Sequence, residues 1–371
     1  MRTITIFYDG SHYIYRWLKP MFAARKEFAK LGYYVKFHDV LQFLPVFKNG
    51  EKRNICDMMN SKGDIAFLAF HHSTSDLCLC PSDKRRQILE TIHKSYNRVV
   101  WLDTADSAGC GMFDVLPYVD VYFKKQIYKD KSLYGKKLYG SRLFCDYYHN
   151  KLQKEDAELL KRTYPIIDLQ YVDKIQISWN VGLADLFAKG YRLLIRPFGV
   201  GKPDFVSPNS PNKDLDVHFR GSGWSPIAGY QRAKCKELIA NLTTVTHPDV
   251  NSQVPYKEYI AEIKRAKAVL SPFGWGEICG RDFEAFAYGA TLIKPSMDHC
   301  VTYPNWYQPY KTYVPLDWDF SNFYEIISNL DTEQYRKIAQ QGFEMFKYYK
   351  TSEEARLEFA KHIIKGINLE Q

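Results

Sequence analysis

Short, near-continuous apolar runs recur along this chain with longer helix-patterned stretches between them, and that alternation limits its fold more than any other feature. Runs at 3–8, 33–37, 65–70 and 99–102 are strand-like, and helical patterns near 16–31 and 83–95 separate them. Apolar strands alternating with helices indicate a parallel sheet covered on both faces. Acids or turn residues follow three of the strands: Asp9-Gly10-Ser11, His71-His72-Ser73 and Asp103-Thr104. Ligands of open α/β sheets bind beyond the carboxyl ends of the strands. These three loops are therefore expected to face one cleft.

Residues 199–214, rich in Gly, Pro, Ser and Asn, interrupt the pattern as a linker would. Beyond them the alternation restarts. Strands are expected at 215–219, 242–246, 268–270 and 290–293, with helices from about 229 and near 256–267 and 280–288. Helical patterns follow at 323–330, 332–348 and 352–366. A chain of 371 residues is comfortable as two domains. The expected organisation is two Rossmann-like α/β domains with a cleft between them and C-terminal helices. Its parts are an N-terminal domain (1–198), the linker, a second domain (215–350) and a terminal helix (351–371) packing back on the first.

Composition excludes several classes. Hydrophobic residues at 46% and charged residues at 25% are the balance of a folded chain, not a disordered one. No run approaches the length of a membrane span. The chain opens directly on a strand, so no secretory leader is expected. The eight cysteines are scattered without zinc spacing and read as reduced thiols. A cytoplasmic location follows, with peripheral contact at an inner membrane face compatible with the net charge of +9. That charge is diffuse; it suits anionic partners without marking a nucleic-acid tail. Aromatic residues at 16% suit sugar recognition as well as an aromatic core.

The stretch from Ser271 to Ala290 carries the chemistry: SPFGWGEICGRDFEAFAYGA, read as strand end, glycine-rich loop, helix, turn and strand. Gly274 and Gly276 let backbone N–H groups approach a diphosphate, and the following helix directs its positive end there. Arg281, in the first helical turn, adds a cation with a fork suited to phosphate. Glu284, one turn on, is placed to accept ribose hydroxyls. Glu277, in the loop, is placed for a donor's sugar. The competing reading is a capped helix behind a surface loop. Upstream, Arg220, Gly221 and Ser222 follow a strand, and Arg232 opens the next helix; each arginine reads either as a phosphate cation or as a surface ion pair.

The run G-x-G-E-x-x-G-R-x-x-E-A-x-A-x-G-A resembles the donor-binding motif of GT-B glycosyltransferases, nearest the exostosin-like and spore-coat-protein-like bacterial branch. The resemblance covers about residues 215–350. It implies a GT-B fold and transfer of a sugar from a UDP- or GDP-sugar to a glycan, lipid-linked or other acceptor. It gives Glu284 the nucleotide ribose and Gly274 and Gly276 the diphosphate cradle. Classical retaining families place the two acids one residue further apart than Glu277 and Glu284, so the sugar role of Glu277 and the stereochemistry stay open. The resemblance also implies transfer without metal or cofactor, the leaving diphosphate being stabilised by cations and the helix dipole.

In the first domain, Asp103 and Asp106 belong to a D-x-x-D-S loop that resembles one in bacterial polysaccharide transferases. Either would serve as the base that takes the acceptor's hydroxyl proton, with Asp9 as a rival. Either also reads as the cap of a helix beginning near Ser107. His71 and His72 are placed to touch an acceptor or sugar. Three further readings stay open: a DNA-modifying glycosyltransferase, a non-catalytic nucleotide- or sugar-binding protein, and a dinucleotide-dependent enzyme. Against the last, no strand runs into G-x-G-x-x-G near the start of either domain.

Overall fold

The computed structural model describes residues 1–40, 61–184 and 204–368. Residues 199–203 of the expected linker lie outside them. The chain divides into two compact units, each built on a parallel sheet.

The first unit takes in Met1–Lys136, Tyr164–Gly201 and Ser352–Gln371. Its sheet uses β1 (Arg2–Tyr8), β2 (Tyr33–Asp39), β3 (Gly63–Ala69), β4 (Tyr96–Leu102), β5 (Val121–Lys124) and β7 (Ile175–Ile177). All neighbours run parallel, in the order β2-β1-β3-β4-β5-β7. The short β6 (Gln126–Tyr128) lies outside this sheet. Ile4, Ile6, Phe67, Val99, Val100 and Trp101 are buried at its centre, as apolar runs covered on both faces require. The single helix expected over 16–31 is instead three short ones, His12–Trp17, Lys19–Ala23 and Arg25–Lys30. Pro20 sits in the first turn of the middle one, where its missing N–H is harmless but a continuous helix is not possible. The terminal helix Glu353–Ile367 belongs to this unit: Phe359 packs edge-on to Trp179 at 5.4 Å, and His362 Nε2 donates to the Ile177 carbonyl at 2.9 Å.

The second unit takes in Lys137–Thr163 and Lys202–Thr351. Its sheet is β8 (Leu215–His218), β9 (Ala266–Leu270), β10 (Thr291–Pro295) and β12 (Val314–Leu316), in the order β12-β10-β9-β8. The short β11 (Cys300–Thr302) stands outside it. No regular strand forms at 242–246, but the Asp216 and Val217 N–H groups both donate to the Thr246 carbonyl at 3.1 Å. That segment therefore lies along the free edge of β8. Counting it, the five positions of the second sheet repeat the order of the first five strands of the first, with the chain reversing direction across the sheet between β1 and β3 in the first and between β8 and β9 in the second. Crevices that bind ligands form at such reversals.

Residues 137–163, expected in the first domain, group with the second unit. Polar contacts that the sequence does not announce hold them there. Asp156 caps the helix Ala157–Leu160 through Leu159 N–H at 3.0 Å and also accepts the Ile227 N–H at 3.2 Å. Tyr148 Oη donates to the Trp318 carbonyl at 2.5 Å and accepts from Gln231 Nε2 at 2.9 Å.

Candidate functional site

In the second unit, the reversal point between β8 and β9 is where the glycine-rich loop and its helix come together. Arg281 stands in the first turn of the helix Gly280–Ala287. Its Nη2 donates to the Arg220 carbonyl, beyond β8, and its Nη1 to the Leu270 carbonyl, at the end of β9, at 3.5 Å. Its fork thus bridges the carboxyl ends of the two strands, with the guanidinium 5.2 Å from the Phe219 ring centre. Gly221 approaches closely: a Cβ there would stand 3.0 Å from Phe219 and 3.7 Å from Arg281 Nη2.

Glu284 follows one turn on. Tyr259 Oη donates to its Oε2 at 2.6 Å, and Tyr256 Oη lies 3.5 Å from Oε1. Burial raises the Glu284 carboxyl above the usual range, opposed by the Tyr259 hydroxyl and by Arg281. Beside this group opens a cavity of about 470 Å³ lined by Arg220, Gly221, Ser222, Val250, Tyr256 and Tyr259 among others. Its size is that of a small-molecule site. The two tyrosines were not expected. They lie one turn apart on an ordinary amphipathic helix, Tyr256–Arg265, and only the pairing with Glu284 distinguishes them.

The arginines divide. Arg232 reaches the glycine loop: Nε donates to the Phe273 carbonyl at 3.1 Å, and a Cβ on Gly274 would meet its Nη2 at 2.8 Å. Gly274 N–H donates to the Gly276 carbonyl at 3.0 Å, closing the loop on itself. Arg220, in contrast, commits its fork to the protein. Nε and Nη2 pair with Glu262 at 2.6 Å each, and Nη1 donates to the Asp249 and Ser252 carbonyls at 3.0 and 2.7 Å. It shapes the cavity wall and offers no spare fork to a phosphate.

A buried polar network underlies the helix start. Asp282 accepts from Ser271 Oγ at 2.5 Å, Tyr307 Oη at 2.7 Å and the Cys279 N–H at 3.1 Å, and pairs with Lys294 at 3.0 Å. Neither charged side chain has any exposure. Glu277 is also fully buried, and its carboxylate lies with the His299 imidazole and the Cys300 thiol, their ligand atoms all within 4.8 Å of one another. Sequence reading missed this group because Glu277 is far from the His-Cys pair in the chain. Two indoles, Trp275 within the loop and Trp224 beside it, have ring centres 5.6 Å apart, and Arg232 lies over Trp224 at 4.6 Å and Arg162 over Trp275 at 4.2 Å.

In the first unit the three expected loops do meet. Asp9 Oδ2 accepts the His71 N–H at 2.8 Å across the reversal between β1 and β3. His72 N–H donates to Thr104 Oγ1 at 3.1 Å. Asp9 is fully buried and its other oxygen accepts the Ser11 N–H at 2.9 Å. Asp103 is sealed with Lys124 at 2.5 Å, each side chain 1% exposed. Of the three candidate carboxylates only Asp106 reaches solvent, its side chain 47% exposed and 3.1 Å from Lys125 Nζ. No helix begins near Ser107, so neither aspartate caps one; Asp103 Oδ1 accepts the Ala105 N–H at 3.1 Å instead. Burial lowers the pKa of both His71 and His72, which leaves them neutral at physiological pH.

No helix among the described residues is long and apolar enough to cross a membrane. No protein-family model and no curated protein matches the chain. Solved structures similar to it include an α-glucosyltransferase (AGT) in complex with UDP, at 12% identity and a TM-score of 0.43, covering 98% of this chain and 100% of that one. Anabaena Alr3699/HepE in complex with UDP-glucose gives 9% identity and a TM-score of 0.44 over 98% of this chain and 100% of that one. S. aureus MnaA with UDP gives 10% and 0.41, over 100% and 98%. No functional assignment rests on likeness of this degree.

Proposed function

We propose that the chain is a GT-B glycosyltransferase that binds a nucleoside-diphosphate sugar in its second unit and moves the sugar to a glycan or lipid-linked acceptor. The observation that carries the proposal is the grouping of Arg281 and Glu284 with Tyr259, whose side chain lines the cavity at the β8/β9 reversal. A nucleoside diphosphate needs three things of a protein: an acid for the ribose, a cation and free backbone N–H groups for the diphosphate, and a flat contact for the base. Glu284, the start of the helix Gly280–Ala287 with Arg232, and the tyrosines at 256 and 259 supply them in that order, while Arg281, its Nη atoms given to the Arg220 and Leu270 carbonyls, ties the strand ends together behind them. The motif run at 274–290 supports placing the enzyme in the exostosin-like or spore-coat-protein-like branch. As the sugar leaves, negative charge grows on the diphosphate, and the helix start and Arg232 are fixed in advance to stabilise it. In the first unit, Asp106, His71 and His72 are the groups available to take the acceptor's hydroxyl proton.

Titration calorimetry with UDP, GDP, ADP and NAD tests the donor half. One nucleoside diphosphate should bind, and Glu284→Gln should weaken it by the loss of a hydrogen bond to a charged acceptor, about 1.5–3 kcal/mol or roughly ten- to a hundredfold. Binding of NAD alone, or equal affinity in the variant, would overturn the assignment.

A further inference from the structure

The cluster of Glu277, His299 and Cys300 is unexplained by nucleotide binding, and its chemistry is specific. We propose that these three side chains form a binding site for a single zinc-class transition-metal ion. The chain brings them together from two places. Glu277 lies in the loop between β9 and the helix Gly280–Ala287, and His299 and Cys300 lie where the chain turns into β11, with the Cys300 N–H donating to the Met297 carbonyl at 2.9 Å. That turn is what lets two successive residues present side chains to one point.

The donor set selects the ion. A thiolate and an imidazole favour zinc and its neighbours over magnesium or calcium, which take oxygen ligands. Three protein ligands leave one position of a tetrahedron open, as sites that also hold water or substrate do. Zinc bonds of about 2.0–2.3 Å set tetrahedral ligands roughly 3.3–3.8 Å apart, while the present atoms lie within 4.8 Å. Side-chain movements of about an ångström close the set. The surroundings suit a shielded ion: Glu277 is excluded from water, and the His299 ring stands edge-on to Trp318 at 5.1 Å with Phe273 at 6.2 Å. The Lys294 ammonium is near enough to act on His299, but Asp282 at 3.0 Å neutralises it.

The site stands independently of the glycosyltransferase reading. The test uses untagged full-length protein stripped with chelator, then titrated with Zn²⁺ by calorimetry and with Co²⁺ by absorption. The expected result is one ion per chain, with a near-ultraviolet thiolate-to-cobalt band. Cys300→Ser should lose that band, and Cys300→Ser and His299→Ala should each bind Zn²⁺ at least about tenfold more weakly. Circular dichroism checks that the variants fold; if one does not, the cobalt spectrum of the unmodified chain decides. No stoichiometric Zn²⁺ binding, a cobalt spectrum without the thiolate band, or unchanged affinity in folded variants overturns the proposal. Nucleotide titration of the stripped protein keeps this outcome separate from the donor assignment.

Discussion

Lys294→Met is the substitution that most directly probes what holds the donor helix in place. Lys294 and Asp282 form an ion pair in which neither side chain is exposed, the ammonium lying 3.0 Å from Oδ2 and 3.2 Å from Oδ1. Removing one partner of a buried pair leaves an uncompensated charge and costs about 3–5 kcal/mol. Here Ser271 Oγ, Tyr307 Oη and the Cys279 N–H still donate to the carboxylate, so the low end, about 3 kcal/mol, is expected. For a unit of this size that lowers Tm by roughly 6–12 °C, read by calorimetry or by tryptophan fluorescence. Methionine nearly fills the lysine's volume, which keeps cavity formation out of the result. Asp282→Asn strands the ammonium instead and should cost a similar amount. The double variant removes both charges, so its loss should fall short of the sum by about 1–3 kcal/mol. A Lys294→Met protein within about 0.5 kcal/mol of the parent, or strict additivity in the double variant, would show that the pair is not what fixes the helix start.

Other expectations follow from single contacts. Burial raises the Glu284 carboxyl, so its ionised form is a cost to the fold, absent below the unfolded value and growing as pH rises through the folded one. Glu284→Gln should therefore be more thermostable than the parent at pH 8 even as it loses nucleotide. Burial, with Arg281 adding to it, lowers His218 to about 4 from 6.5, and its neutral ring contacts Glu262 Oε2 at 3.2 Å. Its stabilising effect is complete above pH 6.5 and is lost as pH falls towards 4, by about 3 kcal/mol; a His218→Gln protein should show a flatter stability profile across that range in urea titrations. Gly289 has φ +60°, and a Cβ there would stand 2.4 Å from Pro208 N and 2.6 Å from the Val206 carbonyl. Gly289→Ala combines left-handed strain with a backbone clash and should cost about 2–5 kcal/mol in chemical denaturation.

What the sequence made legible was whatever short-range pattern decides. The apolar runs became β1, β3, β4, β9 and β10 because a strand buried on both faces needs no partner to be recognisable. The glycine loop and its helix were legible because local backbone needs dictate their residue types. Gly289 is one such case: its place in the motif reflects the left-handed turn into β10. Apart from the local break at Pro20, which splits the helix expected over 16–31, and the missing helix near Ser107, the failures concern long-range pairing. Residues 242–246 carry strand-like composition, yet only Thr246 lies along β8, so the hydrogen bonding is one carbonyl deep. Residues 137–163 change unit because Asp156 and Tyr148 find partners far along the chain. Arg220 reads as a phosphate ligand until Glu262 is seen to fill its fork. Asp103 reads as a base until Lys124, on the neighbouring strand, seals it. A charged residue's neighbour decides whether it is structural or available, and only the fold supplies the neighbour. By that criterion Arg232, Glu284 and Asp106 keep exposed or adaptable faces, and they are the residues on which substitution should separate function from stability.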